Sequence, residues 1–309
     1  MVYKYTRGLP VNGEPLLITR FKTIYDMLRI AVQSKGRLYD ETMELLQESG
    51  ISLGVSKRTL LVQAGNFPLE VLFLRDDDIP QSVASGVADL GIVGENEFVE
   101  RQEKADVIRR LGFSRCRLSL AIPKAIDYPG IEWFNGKKIA TSYPVILDMF
   151  LKQNNIKAET HVITGSVEIA PGIGLADAIF DIVSSGSTLV SNNLREVEVA
   201  MNSEALLIGN PNLDAEKKEQ LEKLLFRFEA VKAAQGKKYI MMNVPKNCMD
   251  KVLAQLPGIK SPTVMPLADD SWNSVHTVLD EKCFWGIIDN LKKAGAEGIL
   301  VLPIEKMIL

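Results

Sequence analysis

Hydrophobic positions along this chain fall into short segments of two alternating patterns. Residues 69–74, "LEVLFL", form a nearly continuous apolar run, which is typical of a strand buried on both faces. The segment "LYDETMELLQESG" instead places Leu38, Thr42 and Leu45 on one helical face. The alternation continues from Met27 through the first two thirds of the chain. It predicts sheets of parallel strands covered by helices.

The pattern changes in the last third of the chain. A long amphipathic helix is predicted from Asp214, with Leu221, Leu224 and Phe228 on its inner face and its charges in solvent, and Gly236 ends it. After this glycine the segments read strand, helix, strand, strand, helix, strand. This βαββαβ order is that of the ferredoxin-like motif, so we expect a separate small domain here.

Length and charge narrow the classes of protein. The 309 residues are enough for two domains, or three when one is small. A formal net charge of −3 and a pI near 5.7 argue against a general electrostatic attraction to nucleic acid or anionic membranes. No run of about 18 apolar residues is present, so we expect no membrane span. Residues 1–26 contain no apolar signal region and are interpreted as an N-terminal arm without an assigned role.

The cysteines and histidines give little chemistry. The three cysteines are far apart in sequence, form no CxxC pair, and are expected to be reduced, which favours a cytoplasmic protein. The two histidines, His161 and His276, offer no zinc-ligand spacing and are interpreted as structural.

The segment "FDIVSSGSTLVS", residues 180–191, raises a sharper question. A predicted strand containing Asp181 ends in small hydroxyl residues around Gly186, which permits backbone angles that let successive N–H groups converge on an anion. A helix start would add free N–H donors, and a ribose diol would donate two hydrogen bonds to the aspartate. The alternative is an ordinary Ser/Thr helix cap after a buried strand. The local sequence favours neither interpretation.

A longer segment that includes this loop, "GSVEIAPGIGLADAIFDIVSSGSTL", resembles the signature of the ATP phosphoribosyltransferase family. The segments "LRIAVQSKGRL", "LRDDDIP", "DLGIVGEN", "CRLSLA", "IATSYP" and "LREVEVAMNSEALLI" are similar to other blocks of that family, in the same order. "YIMM", "SPTVMPLA" and "VLPIEKM" resemble its long form, which carries a histidine-binding domain. The resemblance extends from Met27 to the C-terminus.

The resemblance implies an α/β fold with two periplasmic-binding-protein-like lobes as the catalytic core and a C-terminal ferredoxin-like regulatory domain. Residues 27–118 and 195–235 are assigned to the first lobe and residues 119–194 to the second. Residues 237–309 are assigned to the regulatory domain.

The resemblance also implies the activity. N1 of ATP displaces pyrophosphate from phosphoribosyl pyrophosphate, with Mg²⁺ present, in the first step of histidine biosynthesis, and histidine inhibits the enzyme. Such a reaction depends on aligning two anionic substrates and stabilising the leaving charge. Dimers that associate into hexamers are implied, without a nucleic acid or membrane partner. Two competing hypotheses are a solute-binding protein, disfavoured by the missing export signal, and an inert regulatory subunit, disfavoured by retained site residues.

The family's motifs assign the phosphoribosyl pyrophosphate site residue by residue. Asp181 is expected to bind the ribose, and the 5-phosphate is expected to contact Ser184, Ser185, Gly186, Ser187 and Thr188. Glu168 matches an acid of the signature, although a charge at a helix start explains it equally well. Arg75, with Arg58 as a second candidate, is expected to clamp the pyrophosphate or triphosphate as the catalytic residue, because arginine binds such oxygens through two N–H groups.

The remaining assignments concern ATP, the metal and histidine. The expected ATP-binding residues are Lys35, Gly36, Arg37, Asp89, Glu95 and Tyr143, several of which are also explained as a surface turn, a helix cap or packing. No protein metal site is expected, because the triplet at 76–78 is better explained as a capping turn and Mg²⁺ arrives on the substrate phosphates. The expected histidine site comprises Asn243, Ile259, Ser261, Thr263, Val278 and Gly298; ordinary strand and turn roles are the alternative.

Overall fold

A computed structural model describes residues 27–54, 59–257 and 261–309. The N-terminal arm, Arg58 and Ile259 therefore lie outside the described residues, and the predictions for them stay predictions. The chain divides into two compact units. The first extends to Leu221 without Glu48–Gly50, and the second contains those three residues and Glu222–Leu309.

The first sheet has six strands in the order β2, β3, β1, β4, β11, β5. Its central strands β3, β1 and β4 are parallel, whereas β2, β11 and β5 pair antiparallel. The prediction of parallel sheets therefore holds for the three central strands and not for β2, β11 and β5. Strands and helices of this lobe are β1 (Leu28–Gln33), α1 (Arg37–Glu48), β2 (Leu61–Gln63), β3 (Leu69–Leu74), α2 (Ile79–Ala84), β4 (Leu90–Gly94), α3 (Glu95–Arg101), β5 (Asp106–Arg110) and β11 (Ala205–Gly209).

The second sheet has five strands in the order β10, β6, β9, β7, β8. Strands β8, β7 and β9 are parallel, and β6 and β10 run antiparallel beside them. The elements are β6 (Cys116–Pro123), β7 (Lys138–Thr141), α4 (Pro144–Gln153), β8 (Glu159–Val162), β9 (Ala178–Val183), α5 (Ser187–Ser191) and β10 (Leu194–Ser203). Pairing with β6 places β10 in this sheet, whereas the sequence assigned residues 195–235 to the first lobe; the chain returns to the first sheet only at β11.

The core of the second lobe fixes the position of β9. Leu118, Ile139, Leu147 and Phe180 are fully buried in one cluster formed by β6, β7, α4 and β9. Burying each such side chain contributes about 1.5–3 kcal/mol. Because the side chains of a strand alternate between faces, Phe180 in this core directs its neighbour Asp181 to the opposite face of the sheet.

The second unit contains the predicted βαββαβ domain. Its elements are β12 (Lys237–Pro245), α7 (Met249–Leu253), β13 (Thr263–Pro266), β14 (Trp272–Asp280), α8 (Glu281–Ala294) and β15 (Glu297–Pro303), preceded by the long helix α6 (Ala215–Ala234). The sheet order is β13, β14, β12, β15, with every neighbouring pair antiparallel. The predicted fold class, two α/β lobes with this domain at the C-terminus, is confirmed. Within the described part of the chain, we find no helix with the length and apolar character to span a bilayer.

Candidate functional site

The loop after β9 encloses a cavity of about 250 Å³. Its lining consists of Glu168, Ile179, Asp181, Ile182, Val183, Ser184, Ser185, Gly186, Thr188 and Leu189. Gly186 has φ of +80°, a left-handed conformation that other residues adopt at a cost. The hydroxyls of Ser185 and Ser187 are 2.9 Å apart. Since α5 has only five residues, the loop's own amides and hydroxyls are its main donors for an anion.

Asp181 lies on the strand that enters this loop and lines the cavity. Its Oδ1 accepts a hydrogen bond from the amide of Ile182 at 2.8 Å. Burial disfavours the charged carboxylate and raises the pKa of Asp181 to about 6, and the nearby Glu168 charge adds to this effect. A desolvated carboxylate in a cavity is typical of a ligand-binding position.

Glu168 reaches the cavity from a separate segment. It lies in a 3-10 turn, Val167–Ile169, which follows Ser166 in a left-handed conformation at φ of +50°. The structure thus brings together Glu168 and Asp181, which the sequence predicted for the same ligand.

Two arginines from outside the loop bind Ser184. Arg37, at the first position of α1, donates from Nη1 to Ser184 Oγ at 2.9 Å and from Nη2 to the carbonyl of Arg115 at 2.7 Å. Arg117 donates to the Ser184 carbonyl at 3.2 Å. It is also paired with Glu196, whose pKa it lowers. The sequence predicts Arg37 for ATP binding, and the structure places its guanidinium against the loop after β9. Its ATP-binding role stays a prediction.

Sequence reasoning missed Arg117. Its segment "CRLSLA" enters the sequence analysis only through the family resemblance. Arg117 reaches the loop because β6 runs antiparallel to β9, with Arg117 opposite Val183. The only sign of Arg117 in the sequence is an arginine at the start of a predicted strand. That sign does not show which residue of β9 lies opposite Arg117.

Arg75 follows the carboxyl end of β3, as predicted. Its side chain is 78% exposed and forms two bonds to Asp77, Nε to Oδ1 at 3.1 Å and Nη2 to Oδ2 at 3.2 Å. The three aspartates at 76–78 form a 3-10 turn before α2. Asp78 occupies the N-cap position of α2, as the capping turn predicts, although its side chain makes no capping hydrogen bond.

Three residues predicted for ATP binding, Lys35, Gly36 and Asp89, are not part of the cavity lining. Lys35 and Gly36 occupy an exposed turn between β1 and α1, where Gly36 has φ of +92°. Asp89 precedes the amino end of β4, at the edge of the sheet opposite to Arg75. Its carboxylate accepts the amide of Arg29 at 2.8 Å and pairs with Lys217 at 2.7 Å. These contacts tie β4 to Arg29 and Lys217, and the ATP-binding role of Asp89 stays a prediction.

Glu95 and Tyr143 lie at the carboxyl ends of strands. Glu95 begins α3 after β4 and pairs with Arg110, raising the pKa of that guanidinium. Tyr143 is buried beyond β7 beside Glu97, and burial is the main reason why its pKa is raised. Strands β7 and β9 are parallel with Thr141 opposite Phe180, so Tyr143 and Asp181 lie at the same edge of the second sheet.

In the C-terminal unit, several residues predicted for histidine binding share one face of the sheet. Thr263 pairs with His276, Asn243 with Ser274 and Val278 with Tyr239, all at alternate positions of β14. Asn243 also lies against Gly298, where an added Cβ would be 3.3 Å from Asn243 Nδ2.

His276 makes hydrogen bonds through both ring nitrogens. Nδ1 bonds the hydroxyl of Tyr239 at 2.8 Å and Nε2 bonds that of Ser274 at 2.9 Å. The structural interpretation of His276 stays a prediction. Ser261 is exposed just before β13. The histidine-binding role of this face stays a prediction.

Comparison with known proteins gives the family. Residues 75–230 match the family model described as "ATP phosphoribosyltransferase", and residues 234–306 match "HisG, C-terminal domain". The ATP phosphoribosyltransferase of Bacteroides fragilis is 75% identical over 283 residues, which cover 92% of this chain and 100% of that protein. That of Cytophaga hutchinsonii is 60% identical over 282 residues, 91% and 99% of the two chains.

A solved structure shares the fold. A chain of the "ATP phosphoribosyl transferase (HisG:HisZ) complex from Thermotoga maritima" is 28% identical with a TM-score of 0.56, over 66% of this chain and 99% of that one. Together with the two family models and the high identity to curated relatives, this shows that the chain belongs to the ATP phosphoribosyltransferase family.

Proposed function

We propose that this enzyme transfers the 5-phosphoribosyl group from phosphoribosyl pyrophosphate to N1 of ATP. Pyrophosphate leaves and N1-(5-phospho-β-D-ribosyl)-ATP forms, as the first step of L-histidine biosynthesis. The observation that supports this proposal most is the cavity after β9, in which the Asp181 carboxylate and the amides and hydroxyls around Gly186 line one space. A sugar phosphate presents the complementary groups, a diol and a dianion.

In this proposal the 5-phosphate binds Ser184–Thr188 and the ribose diol donates to Asp181. A bond forms from adenine N1 to C1 of the ribose while the bond from C1 to the pyrophosphate oxygen breaks, and its electron pair leaves with pyrophosphate. Arg75 and Arg37 supply positive charge for the departing oxygens, in keeping with the strength of arginine–phosphate pairs. No protein nucleophile is needed, since the enzyme aligns the two substrates.

Mg²⁺ is proposed to enter with the substrate phosphates. Among the residues that the structure describes, no three His, Cys, Asp or Glu side chains are grouped to hold a metal ion. In the aspartate triplet, Asp77 already pairs with Arg75 and Arg101. We therefore propose that the magnesium ion is bound by pyrophosphate oxygens and by several waters that it keeps.

Regulation by histidine is proposed for the C-terminal domain. The sheet face that carries Thr263, Asn243 and Val278 offers hydroxyl and amide groups beside an apolar side chain. Inhibition requires histidine to bind one arrangement of the enzyme better than another, for which we propose dimers that assemble into hexamers. The three free cysteines support a cytoplasmic location.

The test is direct. The purified protein is mixed with ATP, phosphoribosyl pyrophosphate and Mg²⁺, and phosphoribosyl-ATP and pyrophosphate are measured by mass spectrometry and a coupled assay. Both products should form in equal amounts. A protein that binds a different small solute and makes neither product would instead be a binding protein. One that binds histidine alone would be a regulatory subunit.

A further inference from the structure

The loop after β9 is held from outside its cavity at one peptide bond. Arg117, on β6, donates from Nη1 to the carbonyl of Ser184 at 3.2 Å. It reaches this carbonyl because β6 runs antiparallel to β9, with Arg117 opposite Val183, the last residue of β9. Arg117 is not among the residues that line the cavity. The bonded carbonyl therefore points to the side of the loop that faces Arg117.

The orientation of that carbonyl decides the orientation of the next amide. In a planar trans peptide the C=O and the N–H point in opposite directions. When the Ser184 carbonyl points to Arg117, the amide of Ser185 points to the other side of the loop, where Ser185 and Gly186 line the cavity. A reversed peptide would instead place a carbonyl oxygen in the space that is proposed to receive a phosphate dianion.

Arg117 is itself fixed by a carboxylate on the neighbouring strand. Its Nε and Nη2 donate to the two carboxylate oxygens of Glu196, on β10. Glu196 Oε1 also accepts the hydroxyl of Ser119, on β6, at 2.6 Å, and Ser119 is fully buried. The side chains of Arg117 and Glu196 are 33% and 23% exposed, so the pair is partly shielded from solvent. The two parallel bonds fix the plane of the guanidinium, with Nη1 directed to Ser184.

We propose that Arg117 and Glu196 are positioning residues for the 5-phosphate of phosphoribosyl pyrophosphate. Glu196 orients Arg117, and Arg117 holds the peptide between Ser184 and Ser185 with its amide directed into the cavity. The inference rests on the proposed function, because that function assigns this cavity to the 5-phosphate. Neither charged side chain contacts the substrate. The backbone amides of the loop do, and they bind an anion because they converge on it.

A simpler alternative is that the positive charge of Arg117 attracts the phosphate through space. The two explanations differ in sign for Glu196. If charge alone acts, removing the negative charge of Glu196 makes the site more positive and should strengthen phosphate binding. If Glu196 orients Arg117, the same change releases the guanidinium and should weaken phosphate binding.

The experiment compares full-length wild type, Arg117→Gln and Glu196→Gln in two measurements. One is the kinetics of phosphoribosyl-ATP formation. The other is calorimetric titration with ribose 5-phosphate, a probe that has the phosphate and the diol but no pyrophosphate.

Both variants should bind the sugar phosphate more weakly. Arg117→Gln should raise the KM for phosphoribosyl pyrophosphate and the Kd for ribose 5-phosphate about 10- to 100-fold, because a hydrogen bond to the charged phosphate is lost. Glu196→Gln should raise both about 3- to 10-fold, since glutamine still accepts one bond from Arg117. The kcat should change less than about threefold, because the 5-phosphate is bound equally in the ground state and the transition state.

The first lobe offers a matched control. Arg29, on β1, pairs with Glu70 of β3 at 2.7 Å and donates from Nη1 to the carbonyl of Val87 at 3.0 Å. The arrangement repeats that of Arg117, with a carboxylate on a neighbouring strand and a carbonyl as acceptors, but none of these three residues lines the cavity. Arg29→Gln should therefore lower the Tm about as much as Arg117→Gln and leave the KM for phosphoribosyl pyrophosphate and the Kd for ribose 5-phosphate unchanged.

Each result decides one claim. An unchanged Kd for ribose 5-phosphate in Arg117→Gln and Glu196→Gln, with an active wild type, overturns the positioning role alone. Stronger binding by Glu196→Gln assigns the effect to charge and also overturns it, as does an equal loss of affinity in Arg29→Gln. A wild type that forms no phosphoribosyl-ATP overturns the proposed function, and this inference with it.

Discussion

Replacing Asp181 by asparagine is expected to stabilise the ligand-free protein while it weakens the use of phosphoribosyl pyrophosphate. The structure gives the reason. The carboxylate is desolvated in the loop cavity, next to Glu168, and its pKa lies at about 6 against an ordinary value of 3.8. Asparagine keeps the oxygen that accepts the Ile182 amide but carries no charge to desolvate.

The magnitude follows from linkage. A pKa raised by about 2 units, at about 1.4 kcal/mol per unit, costs about 3 kcal/mol of folding free energy when the carboxylate is fully ionised. Because the folded pKa exceeds the unfolded one, this cost is absent below about pH 4, grows between about pH 4 and 6, and is complete above about pH 6. The variant should therefore gain up to about 3 kcal/mol at about pH 8 and progressively less towards about pH 4.

The assay is calorimetric unfolding of wild type and Asp181→Asn at several pH values, paired with kinetics. The Tm difference should rise with pH up to about 6 and then level. The kcat/KM for phosphoribosyl pyrophosphate should fall about 10- to 100-fold, since hydrogen bonds to a charged acceptor are worth about 1.5–3 kcal/mol. Asp148→Asn, at an exposed ion pair, is the control and should change stability by less than about 1 kcal/mol. Equal stability of Asp181→Asn and wild type at every pH would refute the desolvation argument.

Three further results are expected. In wild type, the kcat/KM for phosphoribosyl pyrophosphate should fall as the pH drops below about 6, because the protonated Asp181 no longer accepts both ribose hydroxyls. The Asp181→Asn variant should lack this decline. A decline shared by both enzymes would contradict the assignment of Asp181 to the ribose. Gly186→Val should raise the KM for phosphoribosyl pyrophosphate at least about tenfold. The control is Gly136→Val, because Gly136 has a similar left-handed φ of +71° and no atom within 4 Å of an added Cβ. This control should lower the stability of the folded protein by about 1–2 kcal/mol and leave the KM unchanged. Gly298→Ala, which presses on Asn243, should weaken inhibition by histidine at unchanged kcat, and inhibition of wild-type strength would remove Asn243 and Gly298 from the effector site.

The local pattern of hydrophobic and polar residues was sufficient to predict the helices and strands and the order of the domains. The apolar run that became β3 and the helical face of α1 are determined by the spacing of their own residues. The βαββαβ order after Gly236 is equally local, because each segment shows its own period and its own turn residues.

Strand pairing was not readable in the same way. The β10 segment carries no sign that it pairs with β6 and not with the first sheet, since pairing is decided by contacts between residues about 80 positions apart. The same applies to the other antiparallel strands, β2, β5, β6 and β11, because their direction is also set by their partners in the sheet.

The site residues that lie in one contiguous segment could be predicted, and those that tertiary structure brings in could not. Asp181, Glu168 and the hydroxyl loop were found because one contiguous segment carries them, and the structure does bring them around one cavity. The contacts of Arg117 and Arg37 with Ser184 were not predicted, because one residue lies on β6 and the other begins α1, and only the tertiary arrangement brings them to the loop. Asp89 has a carboxylate, as many ligand-binding residues do. It precedes the amino end of β4, however, and is paired with Lys217.

The most direct measurement is the structure of the protein with phosphoribosyl pyrophosphate and Mg²⁺ bound. The 5-phosphate is expected within hydrogen-bond distance of the amides and hydroxyls at 184–188, and both ribose hydroxyls are expected to donate to Asp181. A sugar phosphate bound elsewhere, with the cavity after β9 filled by water alone, would contradict it.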